Sequence, residues 1–135
     1  MQTRIYLVED NPLILEWLAQ ALEELAQVRV VGSAATQTEA CQWLNGHQDA
    51  WDAAVVDLWL AQGNGLHVIE CLNTSPGQKI VVLTNYPTQH MREVCLGAGA
   101  HAFFDKSTEL DEFIEYMARE FVPANSVLRS PAAGS

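Results

Sequence analysis

Five side chains with the chemistry of phosphoryl transfer stand at or just after the ends of predicted strands. They are Glu9, Asp10, Asp57, Thr84 and Lys106. A carboxylate can attack phosphorus, provided that fixed positive groups neutralise the charge on the moving phosphoryl oxygens. Three carboxylates brought together would repel one another, and a hard divalent cation with oxygen ligands relieves that repulsion. These residue types therefore predict a metal-assisted phosphoryl-acceptor site, if the fold brings them together.

Each of these residues has a predicted role in such a site. We predict that Asp57 is the nucleophile and that Glu9, Asp10 and Asp57 bind Mg²⁺. The backbone carbonyl of Trp59, two residues past the nucleophile, is predicted to complete the metal shell. Lys106 and the Thr84 hydroxyl would contact the phosphoryl oxygens, so little further covalent machinery is required. Taken singly, each residue also has an ordinary structural explanation, such as a helix cap, a turn or a solvated charge.

The elements that must position these residues are short apolar strands alternating with amphipathic helices. The strands are apolar on both faces, as in the interior of a parallel sheet, and are predicted at 3–8, 28–34, 53–57, 79–84 and 101–105. Apolar residues at helical spacing predict a helix whose buried stripe contains Ile14, Trp17, Leu18, Ala21, Leu22 and Leu25, and a last helix with Leu110, Phe113, Ile114, Met117 and Phe121.

Two helix starts also have recognisable capping signals. Asn11 can cap a helix that has Pro12 at its first position, and Thr36 with Glu39 forms a capping box. Five strands alternating with five helices predict an α/β, doubly wound, flavodoxin-like fold with parallel strand order 2-1-3-4-5. The ligand crevice of such a fold lies beyond the carboxyl ends of the strands, where the order reverses between strands 1 and 3. The five candidate residues would meet there.

Length and composition limit the remaining possibilities. The chain has 135 residues and a formal net charge of −10. We predict one domain over 1–121 and a flexible tail over 122–135, rich in Pro, Ala, Ser and Gly. The seven Lys and Arg residues are scattered, which argues against direct nucleic-acid binding. No membrane-length apolar run or signal-peptide pattern is visible, so a cytoplasmic location is expected.

The three cysteines, Cys41, Cys71 and Cys95, are widely spaced and odd in number. They match no zinc-binding pattern and suggest no self-contained disulfide framework. We therefore expect buried, reduced thiols.

Four segments resemble, in order, the motifs of the receiver domain of two-component response regulators, and the resemblance covers about residues 3 to 121. The segments are "YLVEDNP", "VVDLWLAQGNGL", "VVLTN" and "AFFDKS". The resemblance implies that Asp57 is phosphorylated by a histidine kinase or a histidine phosphotransfer protein. It implies that Thr84 and Phe103 form the switch, and that a downstream protein binds the face of helix 4, strand 5 and helix 5. The chain would then be a monomer or weak dimer whose only chemistry is its own phosphorylation and dephosphorylation.

Three positions depart from the family pattern. Ala61 and Ser107 stand where proline is common. We expect a more mobile loop after Asp57, and a trans bond before Ser107 or else a strained cis bond. Phe103 lacks the hydroxyl of the usual tyrosine, so its ring should prefer the buried pose.

Aromatic and apolar residues near the crevice lead to two further hypotheses. Trp59 and Tyr86 occupy positions that in this family line the approach of water to the acyl phosphate, so two bulky rings would slow dephosphorylation. The alternative is that both rings only pack on neighbouring loops. Leu13 and Leu15 are candidate contacts for the phosphate-delivering partner, although a structural role is the favoured interpretation.

Several alternatives stay open at this point. The chain is either a stand-alone receiver or a fragment of a longer transcriptional regulator. A phosphatase with an aspartyl nucleophile is a second candidate, but Trp59 occupies the position of the second acid of its DxD motif. A nucleotide-binding module would need a glycine-rich loop that is missing after strand 1. A receiver that signals without phosphate is disfavoured by the intact acid set.

Overall fold

The computed structural model describes residues 2–85 and 87–120. Within them, five strands form one parallel sheet in the order β2-β1-β3-β4-β5, which confirms the predicted topology. The strands are β1 (Arg4–Val8), β2 (Arg29–Ala34), β3 (Ala53–Val56), β4 (Lys79–Thr84) and β5 (Ala102–Asp105). The helices are α1 (Pro12–Leu25), α2 (Gln37–Gly46), α3 (Gly65–Cys71), α4 (Gln89–Ala98) and α5 (Leu110–Glu120). Tyr86, Phe121 and the predicted tail over 122–135 lie outside the described residues.

The two predicted helix starts are confirmed. The side chain of Asn11 accepts hydrogen bonds from the backbone of Leu13 at 3.0 Å and Ile14 at 3.2 Å, and Pro12 is the first helical residue. The Thr36 hydroxyl oxygen accepts from the Glu39 N–H at 3.2 Å. Helices α1 and α2 therefore begin where side chains satisfy their free N–H groups, and both begin at the crevice end of the sheet.

Helices cover both faces of the sheet. Residues of α1 and α5 pack on one face with strand side chains such as Ile5 and Leu7. Residues of α2, α3 and α4 pack on the other face with Tyr6 and Val8. Since successive strand side chains point to opposite faces, a strand covered on both sides must be apolar throughout. This explains the uninterrupted apolar runs in the sequence.

The predicted buried stripe of α1 is too wide. Leu18 and Leu22 are buried, but Trp17 is 51% exposed and Leu25 is 67% exposed. Trp17 lies beside the core-facing line of the helix, and Leu25 is its last residue. Periodicity identifies an apolar face, but the part of that face in contact with the sheet depends on the neighbouring elements.

The expectation of three reduced cysteines is wrong. Cys41 on α2 and Cys71 at the end of α3 form a disulfide with a Cα–Cα distance of 6.3 Å. Cys95 is free and buried. The two helices pack side by side on the same face of the sheet, so residues 30 positions apart become neighbours. Spacing along the chain does not reveal such a pairing.

The parallel register brings the strand ends to one edge. Val8 pairs with Val56, and Thr84 pairs with Asp105. The residues that follow these strands therefore emerge side by side. The Lys106–Ser107 peptide bond is trans, as expected. No helix in the part of the chain that the structure describes has both the length and the apolar composition needed to cross a membrane.

Candidate functional site

Three carboxylates lie together at the carboxyl edge of the sheet. One side-chain oxygen from each of Glu9, Asp10 and Asp57 lies within 4.8 Å of the other two. We call these three residues the acidic cluster. Glu9 and Asp57 are buried, at 4% and 9% exposure, whereas Asp10 faces solvent more openly. The predicted convergence of the three acids is observed.

Lys106 connects two members of this cluster. Its ammonium donates to Glu9 Oε1 at 2.7 Å and to Asp57 Oδ2 at 3.1 Å. The lysine side chain is only 11% exposed, so both ion pairs are largely shielded from water. Lys106 thus lies where it can balance charge at Asp57, the predicted nucleophile.

Burial and charge oppose each other in this pair. Burial raises the pKa of Glu9, although the hydrogen bond from Lys106 works against that rise. Burial also acts to lower the pKa of Lys106, but the hydrogen bond to Glu9 and the charge of Asp57 outweigh it and raise that pKa. The ammonium is therefore held in its charged form.

The loop after Asp57 folds back on itself. Its Trp59 N–H donates to Asp57 Oδ1 at 3.3 Å, and Trp59 pairs with Asn64 as an antiparallel bridge. A Cβ atom on Gly65 would collide with the Asp57 carbonyl oxygen, so a glycine is needed there. The Trp59 ring is 57% exposed. The backbone carbonyl of Trp59, which was predicted to bind the metal, thus belongs to a loop that is hydrogen-bonded to the acidic cluster.

The segment that carries Lys106 is fixed by a turn that sequence analysis missed. Asp105 accepts hydrogen bonds from the Ser107 N–H at 2.7 Å and the Thr108 hydroxyl at 2.9 Å. The Ser107 N–H is the main reason that the pKa of Asp105 is lowered. The Lys106 N–H donates to the carbonyl of Thr84, which is buried at the end of β4. An aspartate that follows a strand is a sequence signal of such a turn, because its side chain can accept from the backbone N–H two residues on.

Phe103, the predicted switch aromatic, is buried at 4% exposure, the pose expected from its missing hydroxyl. The Arg92 guanidinium lies 4.9 Å from the centre of its ring and donates to the Phe103 carbonyl at 3.1 Å. Arg92 also forms an ion pair with Glu109 at 3.6 Å. No motif or helical pattern in the sequence marks Arg92 for these contacts. The structure gives it three contacts that join α4, β5 and the start of α5.

The donor set of the acidic cluster fits a hard divalent cation. All three ligand atoms are carboxylate oxygens, which Mg²⁺ and Ca²⁺ prefer. Three carboxylates face the single ammonium of Lys106, so two negative charges are uncompensated when all are ionised. Within residues 2–85 and 87–120 the Asp10 carboxylate accepts no hydrogen bond, and its oxygens are available to a ligand.

This arrangement defines a class of protein: a doubly wound α/β domain with an acidic crevice and a lysine at the carboxyl ends of its parallel strands. The family model described as "Response regulator receiver domain" matches residues 5–118. The chain belongs to this family and is a receiver domain of two-component response regulators.

Curated relatives agree with this assignment. The photosynthetic apparatus regulatory protein RegA of Rhodobacter capsulatus is 31% identical over an alignment of 115 residues, and the match covers 80% of this chain and 57% of RegA. The DNA-binding transcriptional activator DevR/DosR of Mycobacterium tuberculosis is 27% identical over 104 residues, which are 76% of this chain and 47% of that protein. The chain thus spans about half the length of such relatives, some of which are transcriptional regulators.

Solved structures show the same fold. A chain of the CheX-CheY-BeF3-Mg+2 complex from Borrelia burgdorferi matches with a TM-score of 0.78 and 16% identity, and the match covers 90% of each of the two chains. The BeF3-activated N-terminal receiver domain of Klebsiella pneumoniae RstA matches with a TM-score of 0.77 and 20% identity, covering 90% of this chain and 100% of that one. At these identities the likeness concerns the fold alone.

Proposed function

We propose that Asp57 accepts a phosphoryl group from a phosphohistidine on a histidine kinase or a histidine phosphotransfer protein. The observation that best supports this proposal is the Lys106 ammonium, 3.1 Å from Asp57 Oδ2 within the acidic cluster. Family membership supports the partner class.

In the proposed reaction a carboxylate oxygen of Asp57 attacks phosphorus. An O–P bond forms as the P–N bond of the phosphohistidine breaks, and the imidazole leaves with the electron pair and takes up a proton. Lys106 stays protonated and balances negative charge on the transferred group. Mg²⁺ held by Glu9, Asp10, Asp57 and the Trp59 carbonyl would supply further positive charge at the same oxygens.

We further propose that phosphorylation shifts the population of conformations at the face formed by α4, β5 and α5. The Thr84 hydroxyl would donate to the phosphoryl group, and the pose of Phe103 would report this change to a downstream protein. Phe103 is already buried, and Arg92 contacts its ring and its carbonyl. Switching would therefore alter the contacts of Arg92 rather than simply bury the ring.

The hypothesis that Trp59 and Tyr86 slow dephosphorylation is retained as a proposal. The exposed Trp59 ring lines a cavity of about 140 Å³ between the loop after Asp57 and α4, with Leu58, Asn64, Leu66 and Met91. Packing beside this cavity would also explain the ring without any effect on water. Equal phosphoryl half-lives in wild type, Trp59→Asn and Tyr86→Ala would reject the shielding role.

The proposed function is tested by incubating the protein with Mg²⁺ and acetyl phosphate and measuring the intact mass. We expect one phosphoryl adduct, which Asp57→Asn abolishes. Asp49→Asn, a change to an exposed aspartate outside the crevice, is the matched control and should keep the adduct. An unmodified wild-type protein would overturn the proposal, and steady turnover of free phosphate esters would favour an aspartyl phosphatase instead.

A further inference from the structure

The first residue of α2 contacts the loop that follows Asp57. The Gln37 N–H donates to the Gln62 carbonyl at 3.0 Å, and Gln37 Oε1 accepts from the Asn64 N–H at 3.2 Å. Thr36, the residue before it, pairs with Gln62 as a parallel bridge. A side chain from α2 thus fixes a segment five to seven residues beyond the predicted nucleophile.

The loop packs directly on this glutamine. Gly63 adopts a left-handed backbone with φ of +81°, and a Cβ atom at that position would collide with the Gln37 side chain. Both the backbone conformation and the contact favour glycine. No other residue type would let the loop lie so close to α2 without strain.

The same segment is connected to Asp57 by hydrogen bonds. Asn64, which donates to Gln37, pairs with Trp59, and the Trp59 N–H donates to Asp57 Oδ1 at 3.3 Å. A continuous path of contacts therefore runs from Gln37 to the carboxylate of Asp57. Ala61 lies within this loop in place of the family's usual proline, so the loop lacks a residue with fixed φ.

Helix α2 is itself held firmly at its other end. Asn45 donates to the Cys71 carbonyl at 2.9 Å and accepts from the Asn73 N–H at 3.0 Å, and the disulfide joins Cys41 to Cys71. Loss of the Gln37 side-chain contact would therefore leave the helix in place. It would release the Asn64 end of the loop, while the backbone contact of Gln37 with Gln62 stays.

We propose that Gln37 is a positioning residue for phosphoryl transfer, which holds the loop so that the Trp59 N–H reaches Asp57. This inference rests on the proposed function of Asp57. Gln37 itself does not contact Asp57, so it acts only through residues 59–64. Its side-chain hydrogen bond holds a loop that has no proline between residues 58 and 64.

Three variants separate this role from general stability. Gln37→Leu keeps the volume but removes the acceptor, and Gln37→Glu keeps an acceptor oxygen at a helix start that tolerates negative charge. Gln42→Leu makes the same change at an exposed position of the same helix and is the matched control. The readouts are the rate of phosphorylation by acetyl phosphate with Mg²⁺, the Mg²⁺ dissociation constant by calorimetry, the thermal midpoint, and the amide exchange rate of Asn64.

We expect Gln37→Leu to slow phosphorylation and weaken Mg²⁺ binding, each by about tenfold, as for one lost hydrogen bond. The Asn64 amide should exchange faster. Gln37→Glu should recover the wild-type values to within about twofold, and Gln42→Leu should match wild type.

Unchanged phosphorylation and Mg²⁺ binding in Gln37→Leu would overturn the inference, whether or not the thermal midpoint falls. Equal losses in Gln42→Leu would overturn it too. If wild type takes up no phosphoryl group, the proposed function fails, while Mg²⁺ affinity and Asn64 exchange still decide whether Gln37 positions the loop. The two failures are therefore distinguishable.

Discussion

The disulfide between α2 and α3 gives a quantitative prediction for the stability of this receiver. Cys41 and Cys71 are 30 residues apart in the chain. Closing a loop of about 30 residues removes about 12 cal/mol/K of entropy from the unfolded chain, which corresponds to about 3.6 kcal/mol at about 25 °C. Cys71→Ser should lower the free energy of unfolding by that amount, a large share of the roughly 5–15 kcal/mol typical of a domain.

The native state should change little in this variant. Asn45 still bonds to the backbone of residues 71 and 73, so α2 and α3 stay together without the covalent link. The effect should therefore arise mainly in the unfolded state. Phosphorylation of Cys71→Ser at low denaturant should accordingly remain close to that of wild type.

Urea unfolding in oxidising and reducing buffers measures this effect. Wild type with reductant should match Cys71→Ser, and the reductant should leave Cys71→Ser unchanged, which makes the variant its own control. Mass spectrometry after thiol alkylation shows whether the bond is present in each sample. A difference below about 1 kcal/mol between proteins shown to be oxidised and reduced would refute the loop-entropy reasoning.

Three further predictions concern charged groups. Arg92→Ala should lower the free energy of unfolding by about 1–2 kcal/mol and speed amide exchange in β5, because it removes a ring contact, a hydrogen bond and an ion pair. Arg119→Ala changes an exposed arginine on α5 and should leave both the free energy of unfolding and the exchange rates unchanged. His101 accepts a hydrogen bond from the Ile80 N–H through Nδ1, and burial lowers its pKa below 6.5. The contribution of neutral His101 to stability is therefore complete above about pH 6.5 and is lost as the pH falls through the folded-state pKa. Between about pH 7.5 and about pH 5, the range in which histidine titrates, the urea midpoint of wild type should fall more than that of His101→Gln. Identical pH profiles of the two proteins would contradict this prediction. Lys106→Met should lower the free energy of unfolding by about 3 kcal/mol at neutral pH, measured by urea unfolding, since it leaves buried carboxylates unpaired. The loss should be smaller at low pH, where Glu9, whose pKa is raised by burial, takes up a proton. A loss independent of pH would contradict the electrostatic explanation.

Much of the fold was predictable because each element carries its own local signal. Alternating apolar strands and amphipathic helices allow few topologies, and the cap at Asn11 and the capping box at Thr36 mark two helix starts within a residue. The acidic cluster was predictable for the same reason: polar residues directly after buried strands must meet at one edge of a parallel sheet. The residue types and the strand order together predict that Glu9, Asp10 and Asp57 are neighbours.

The features that sequence analysis missed depend on contacts between elements far apart in the chain. The Cys41–Cys71 pairing, the Arg92 contacts and the Gln37 contacts all join one helix to another element, and none has a periodic or capping signal. The exposure of Trp17 has the same origin, since helical spacing cannot show where the neighbouring elements end. Tertiary placement decides such contacts.

The charges of the crevice explain why its surroundings are so firmly fixed. Two members of the acidic cluster are buried, and Lys106 compensates only part of the cluster's negative charge. Repulsion between the carboxylates therefore destabilises the folded state at this edge of the sheet. A looser loop would let the carboxylates separate and relieve the repulsion. The contacts from Gln37 to residues 62–64 and from Asp105 to residues 107 and 108 oppose that relaxation on either side. A cation needs an excess of negative charge held in a fixed geometry, and its own positive charge then offsets the charge of an incoming phosphoryl group, so residues outside the crevice that hold the acids in place support both steps.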